Sequence, residues 1–399
     1  MGSGYVFNRL ELAGSLGDLG TLLPMAIAMV LVCGLDPVGT FAGIGLFYLL
    51  AGWYFRVTMP VQPMKVIGAY AIGASLSAGQ LQASALLVGT LLLFIGGTGI
   101  MDHIRRIVPL NVIRGVQLST GVLLMAKGVS FMSGTSSFQV MQGAVEPALA
   151  FQSLGPVPIS LVLGIVVGMV TFRFLDSTRY PAGLLAVVIG AGAGMVLGAF
   201  RSLAGLTPGL YFPNMLPFGV PSAADFGFVF LTLVLPQLPM TLGNAVIANA
   251  DLSHQYFGGK SVRVTPRALC MSMGLANLGA FVLGGMPMCH GAGGLAAHYR
   301  FGARTAGSNL MIGAVFLVLA LVFGPGIMDL FALLPLSVLG VLLVFAGSQL
   351  GLTVLDMRTR KDLFVCLLIL SIAWSINLAA GFLAGIAVSK MLVGEKISV

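Results

Sequence analysis

The sequence predicts an all-α polytopic membrane protein of about fourteen transmembrane segments, built as a 7+7 inverted repeat. Three observations lead there. Of 399 residues, 58% are hydrophobic and 8% are charged, against about 25% charged in ordinary soluble domains. Apolar runs of roughly 18 or more residues recur from end to end, each long enough to cross a bilayer. Short motifs of the first half also return, in the same order, in the second half. No single globule could bury that much apolar surface, because interior grows too slowly with chain length.

Cutting the chain at charges, prolines and turn residues gives segments 10–33, 37–55, 59–78, 82–101, 108–131, 157–175, 181–200, 226–249, 264–284, 287–299, 305–325, 329–351, 361–377 and 379–393. The longest polar connections are 132–156 and 202–224. No cleavable leader is expected, since the first apolar segment follows Arg9 and Glu11 and is long enough to span. The net charge of +8 would suit nucleic acid if it were clustered with aromatics, but it is scattered. With the N-terminus inside, sixteen of twenty basic residues fall on cytoplasmic loops and ends; the others are Arg201, outside, and Lys65, Arg114 and Lys127 within or near helices. That asymmetry, to which Arg105, Arg106, Arg179 and Lys396 contribute, predicts both termini inside and an even number of spans. Cys33, Cys270, Cys289 and Cys366 show no CxxC spacing, so neither a disulfide framework nor a thiolate metal site is expected.

The repeat can be read from aligned motifs. "SLGD" at 15–18 matches "TLGN" at 241–244, "PLNV" at 109–112 matches "PLSV" at 335–338, and Gly121 falls on Gly347, all at an offset of 226. "QPMK" at 62–65 matches "MPMC" at 286–289, offset by 224. Seven spans separate the copies, and an odd number turns the second upside down in the bilayer.

The stretch "MPVQPMKV", Met59 to Val66, breaks the third segment. Pro60 and Pro63 remove backbone donors and disfavour helix before them, so a helix restarts near Pro63 or Met64. Irregular backbone at membrane depth survives only when packed in protein or lining a wet cavity. The copy "GGMPMCHGAGG" at 284–294 has the same logic. Two half-helices therefore start near the midplane and face each other, offering free N–H groups and positive dipole ends to an anion.

"PVQPMK", "LPQLPMTLGNAVIA" at 235–248, "GSLGDLGTLLP" at 14–24 and "VIRGVQLSTG" at 112–121 resemble the molybdate-transporter branch of the sulfate-permease superfamily, across nearly the whole chain. The resemblance implies the fold of uracil permeases and anion exchangers. In it, segments 1–4 and 8–11 form a core and 5–7 and 12–14 a gate. The repeats would be 1–201 (core 10–101, gate 108–200) and 202–399 (core 226–325, gate 329–393). The branch lacks the cytoplasmic regulatory domain of sulfate permeases and takes up molybdate, with sulfate a related oxyanion.

The candidate substrate-binding residues are Gln62, Met64, Lys65, Gln237, Asn244, Cys289, His290 and Gly291. Lys65, in the first turn of the third segment, either adds a point charge to the dipole or pairs with Asp18. Asp18 aligns with Asn244 and is a proton-coupling carboxylate, a partner of Lys65 or a helix cap. Gln237 and Asn244, seven apart, share a helix face and either donate to oxyanion oxygens or bond neighbouring helices. His290 donates to the anion or caps the second half-helix; with His298 it makes no i,i+4 zinc pair. Arg114 and Gln117 line the cavity from the gate side, or Arg114 is a structural anchor. "GAGAGMVLG" at 190–198 mimics a dinucleotide fingerprint, but no strand precedes it; close helix packing accounts for it.

The function expected is secondary active import of an oxyanion, molybdate first, coupled to protons, by alternating access in a cell inner membrane. The alternatives are a sulfate or nucleobase permease of the same fold, or a passive anion channel. No GxxxxGK[ST] loop and no nucleophile–base pair is present, so no enzyme activity and no cofactor is expected. The expected partners are molybdate, tungstate or sulfate, a proton, the lipid bilayer and a second copy in a homodimer, with no nucleic acid.

Overall fold

The computed structural model describes residues 5–99, 108–177 and 180–392. Arg105, Arg106, Arg179 and Lys396 lie outside the described residues. In chain order the main elements are α1 (Arg9–Cys33), α2 (Pro37–Phe55), β1 (Gln62–Pro63), α3 (Lys65–Ala74), α4 (Ala78–Thr98), α5 (Leu110–Ser133), β2 (Ser153–Leu154), β3 (Val157–Pro158), α6 (Ile159–Arg173) and α7 (Ala182–Val196). The second half supplies α8 (Ala223–Ser261), α9 (Pro266–Leu283), β4 (Met288–Cys289), α10 (Ala292–Arg300), α11 (Gly307–Phe323), α12 (Leu336–Gly351), α13 (Arg360–Ser375) and α14 (Leu378–Leu392). These helices correspond one by one to the predicted segments. Eight spans among the described residues are long and apolar enough to cross a bilayer alone. The half-helices α3 and α10 have ten and nine residues.

Two regions differ from the sequence expectation. The connection 132–156 is not plain coil: Ser136 and Gln139 form a capping box that starts a short helix, Ser137–Gln142, and β2 pairs with β3 beyond it. The eighth segment outruns its predicted span at its end, through an α-helix, Asn249–Phe257, and a 3₁₀ turn, Gly258–Ser261, and within the span it is π-helical at Phe230–Val234 and Thr241–Ala248. Pro236 and Pro239 lie between those stretches and withdraw two N–H donors; wide turns are one way a helix carries on past such gaps.

The halves pack on each other. α2 lies along α11, and α4 along α9. α5 lies along α12, where the aligned glycines Gly121 and Gly347 touch. A Cβ on Gly121 would stand 2.5 Å from the Gly347 carbonyl oxygen, and one on Gly347 2.6 Å from the Gly121 oxygen. Gly128 and Gly340 repeat the contact at 2.5 and 2.4 Å. Gly121 and Gly347 change places when the halves are exchanged, so their contact marks the pseudo-twofold axis, and small residues along both helices permit the close crossing. Gly347→Val should therefore cost about 1–3 kcal/mol and lower the melting temperature in detergent; an unchanged melt would show that the crossing has slack.

Candidate functional site

The two proline breaks meet inside the protein. Met59, Val61 and Met64 are fully buried. β1 pairs antiparallel with β4, Gln62 opposite Cys289 and Pro63 opposite Met288. The Met64 N–H donates to the Pro287 carbonyl at 2.9 Å. Each break thus satisfies part of the other's backbone at a depth where water does not.

Side-chain amides hold the rest. Asn309 of α11 accepts from the Met59 N–H (2.8 Å) and donates to the Met59 carbonyl (2.7 Å). Gln82 of α4, its counterpart in the other half, donates to the Gly285 carbonyl (2.8 Å). Asn277 of α9 clamps Met288 by both main-chain groups. The His290 ring is fully buried, its Nδ1 donating to the Pro60 carbonyl (2.7 Å) and its Nε2 bonded to the Ser272 hydroxyl (2.9 Å). A carbonyl only accepts, which fixes that tautomer.

Each half-helix starts from an extended residue, Met64 or Gly291, with no side-chain cap of its own. The Gln237 Oε1 accepts from the Val66 and Ile67 N–H groups at 2.9 and 3.2 Å, while its amide nitrogen donates to Thr241. In α10 the Gly294 and Leu295 N–H groups return to the Gly291 carbonyl. Among the described residues, the N–H groups of Lys65, Ala292 and Gly293 have no partner. The Lys65 ammonium, half-buried, likewise has neither a hydrogen bond nor an ion pair among them.

Lys65 and Gly293 open onto a cavity of about 310 Å³. Its wall also carries Asp18, Thr21, Gln62, Thr171, Phe345 and Gln349, and Arg300 stands at an exposed rim. Asp18 ends a 3₁₀ turn, Leu16–Asp18, and its side chain caps nothing. Its two oxygens accept from the Gln62 amide nitrogen at 2.9 and 2.7 Å. A free ammonium, the free N–H groups of Lys65 and Gly293 and two half-helix dipoles make this a site for an anion with several acceptor oxygens.

The sequence-nominated residues therefore divide. Asp18, Gln62 and Lys65 line the cavity; Met64 and Gly291 are the half-helix caps. Cys289 lies in β4, its Sγ 3.8 Å from the Pro63 carbonyl oxygen. Asn244 is half-buried, its amide nitrogen 3.5 Å from where a Gly291 Cβ would stand. Gln237 is occupied as a cap and His290 as a tie between breaks. Arg114 pairs with Asp356 and donates to the Gln117 Oε1 (2.8 Å), which also accepts from Thr353. That cluster fastens α5 to the chain after α12, and neither residue is on the cavity wall. Sequence reasoning missed Gln82, Asn277, Asn309, Thr21, Gln349 and Arg300; the three clamping amides had one signal, a polar side chain inside an apolar run.

The family model described as "Molybdate transporter of MFS superfamily" matches residues 10–124 and 229–350. The chain belongs to the molybdate transporter family. It is 31% identical to Molybdate transporter 1 of Arabidopsis thaliana, covering 94% of this chain and 86% of that one. It is 32% identical to Molybdate transporter 1 of Chlamydomonas reinhardtii, covering 94% and 90%. The transmembrane domain of the cyanobacterial bicarbonate transporter BicA superposes with a TM-score of 0.66 at 17% identity, over 96% of this chain and 98% of that one. The MFS superfamily is built of two six-span halves in parallel; this family member instead shares the seven-plus-seven inverted plan. It is a multi-pass membrane anion transporter, and its relatives are transporters, not enzymes.

Proposed function

We propose that this chain imports molybdate, driven by protons, through alternating access of core against gate. The observation that carries the reading is the free Lys65 ammonium beside the unpaired N–H groups of Lys65 and Gly293, two residues on the wall that also bears Asp18. Fixed main-chain donors around a cation suit a tetrahedral oxyanion, and the names of the relatives point to molybdate. Tungstate and sulfate fit the same donors and differ in size. The protein would sit in a cell inner membrane with both termini cytoplasmic, the cavity rim at Arg300 facing the cytoplasm. Core 10–101 with 226–325 would move against gate 108–200 with 329–393.

The test is uptake into proteoliposomes with molybdate, sulfate and uracil as competing substrates. Accumulation of molybdate above its external concentration under an imposed pH gradient is expected; equilibration only would assign a channel, and preference for uracil a nucleobase permease. Asp18→Asn should abolish gradient-driven accumulation while leaving molybdate binding measurable, since a coupling carboxylate is then lost without a donor being removed. Parental accumulation by the variant would take Asp18 out of the coupling.

A further inference from the structure

We infer that Gln62 couples the two cargoes: its amide shows the anion site a carbonyl when Asp18 is charged and an NH2 when Asp18 is protonated. The inference rests on the proposed function and deepens it at the same site.

Gln62 is buried and sits in β1, where the two breaks pair. Its amide nitrogen gives both oxygens of Asp18 a hydrogen bond. A charged carboxylate only accepts, so it dictates this orientation. The cost appears at the other end. The Gln62 Oε1 is buried with no hydrogen-bond partner among the described residues, and it points at the start of α10, 2.0 Å from where a Cβ on Gly291 would stand. An oxyanion is also acceptor-only, so in this state the side chain opposes it.

Protonation of Asp18 reverses the pairing. A carboxyl O–H donates, and an amide half-turn about the last side-chain torsion, which is broad and roughly two-fold, brings Oε1 round to accept it. Nitrogen and oxygen exchange within the same volume. The NH2 then faces the start of α10 as a donor, and the orphaned oxygen gains a partner. The proton stays on Asp18, and no heavy-atom bond forms or breaks.

The other charged and titratable groups around Asp18 act with this switch. Lys65 of α3 shares its cavity, with Arg300 of α10 at the rim, and Tyr48 of α2 and Cys289 of β4 are buried within its field. α7 contributes Ala182 and Gly183 to the same wall, neither titratable. Lys65 favours the charged carboxylate; an arriving dianion draws on the same ammonium and so favours proton uptake by Asp18. The seat is tight: a Cβ on Gly294 would stand 2.7 Å from an Asp18 oxygen and 2.8 Å from the Gln62 amide nitrogen.

The experiment measures Kd for molybdate, and for sulfate, on purified full-length protein at pH values below and above the Asp18 titration. It compares the parent, Gln62→Met, Asp18→Asn and the double variant. Gln62→Met should cost about tenfold at low pH and less than about twofold at high pH. In the Asp18→Asn background it should cost about tenfold at both. An equal loss at the two pH values would make Gln62 a fixed contact, and no loss at either a bystander; each overturns the switch. If Gln62→Met does not fold, infrared difference spectra of the parent decide. Anion binding should shift a glutamine amide carbonyl band together with the appearance of a protonated carboxyl band, both absent in Asp18→Asn, and a carboxyl band alone would refute the turn. A parent that binds no oxyanion at any pH would instead remove the proposed function itself.

Discussion

Gly291→Val should abolish oxyanion binding in a protein that still folds. The residue caps α10 at φ −65°, ψ 132°, a conformation open to any amino acid, so the backbone has no need of glycine there. Space is what it supplies. A Cβ would land 2.0 Å from the Gln62 Oε1 and 3.5 Å from the Asn244 amide nitrogen. Gln62 cannot yield without leaving Asp18, whose buried carboxylate would then lose both of its hydrogen bonds. The branched side chain would also stand over the unpaired N–H groups of Ala292 and Gly293. Isothermal titration should show a loss of more than about a hundredfold, with a lowered melting temperature but a protein that remains assembled in detergent. Cys289→Ser, two residues before the cap, should be mild. Parental affinity in Gly291→Val would place the anion somewhere other than the half-helix starts.

Lys65→Met should weaken molybdate binding by roughly ten- to a hundredfold, the ~1–3 kcal/mol of a charge-assisted contact. The ammonium is not committed to the fold: it has no ion pair among the described residues, and Asp18 is held by Gln62 instead. Methionine keeps the apolar stem, so packing at the start of α3 should survive. Binding should also lose part of its salt dependence, because the long-range attraction goes with the charge. Undiminished affinity would show that the main-chain donors suffice and that Lys65 serves only to balance Asp18.

What the sequence disclosed here is what covalent structure dictates locally. Pro60 and Pro63 so close together, and Pro287 next to Gly284 and Gly285, strongly disfavour a continuous helix, so both half-helices could be read in advance. Aligned motifs gave the inverted repeat, and Gly121 falling on Gly347 anticipated the contact at its axis. The amides were harder. Whether Gln237 donates to an anion or caps α3 depends on an N–H 171 residues away, and the partners of Gln82 and Asn309 lie 203 and 250 residues off. A seven-residue spacing implied one shared face for Gln237 and Asn244, but π turns between them change the register. Arg114 looked like a cavity cation because nothing in its neighbourhood of sequence names Asp356 as its partner.

The crossed amides carry a consequence for how such a protein can be divided. Asn309, from the second half, holds the first break at Met59, while Gln82, from the first half, holds the second break at Gly285. The first break therefore depends on an amide from the second half, and the second break, though Asn277 clamps Met288 from within its own half, still takes its tie at Gly285 from the first. Synthesised apart, each would carry a kinked apolar helix with buried backbone groups left unanswered, and the site would come into being only when two oppositely oriented copies dock. Assembly and ligand recognition are in this sense a single event. A one-copy ancestor of this chain would have been inert alone and competent only as an antiparallel pair.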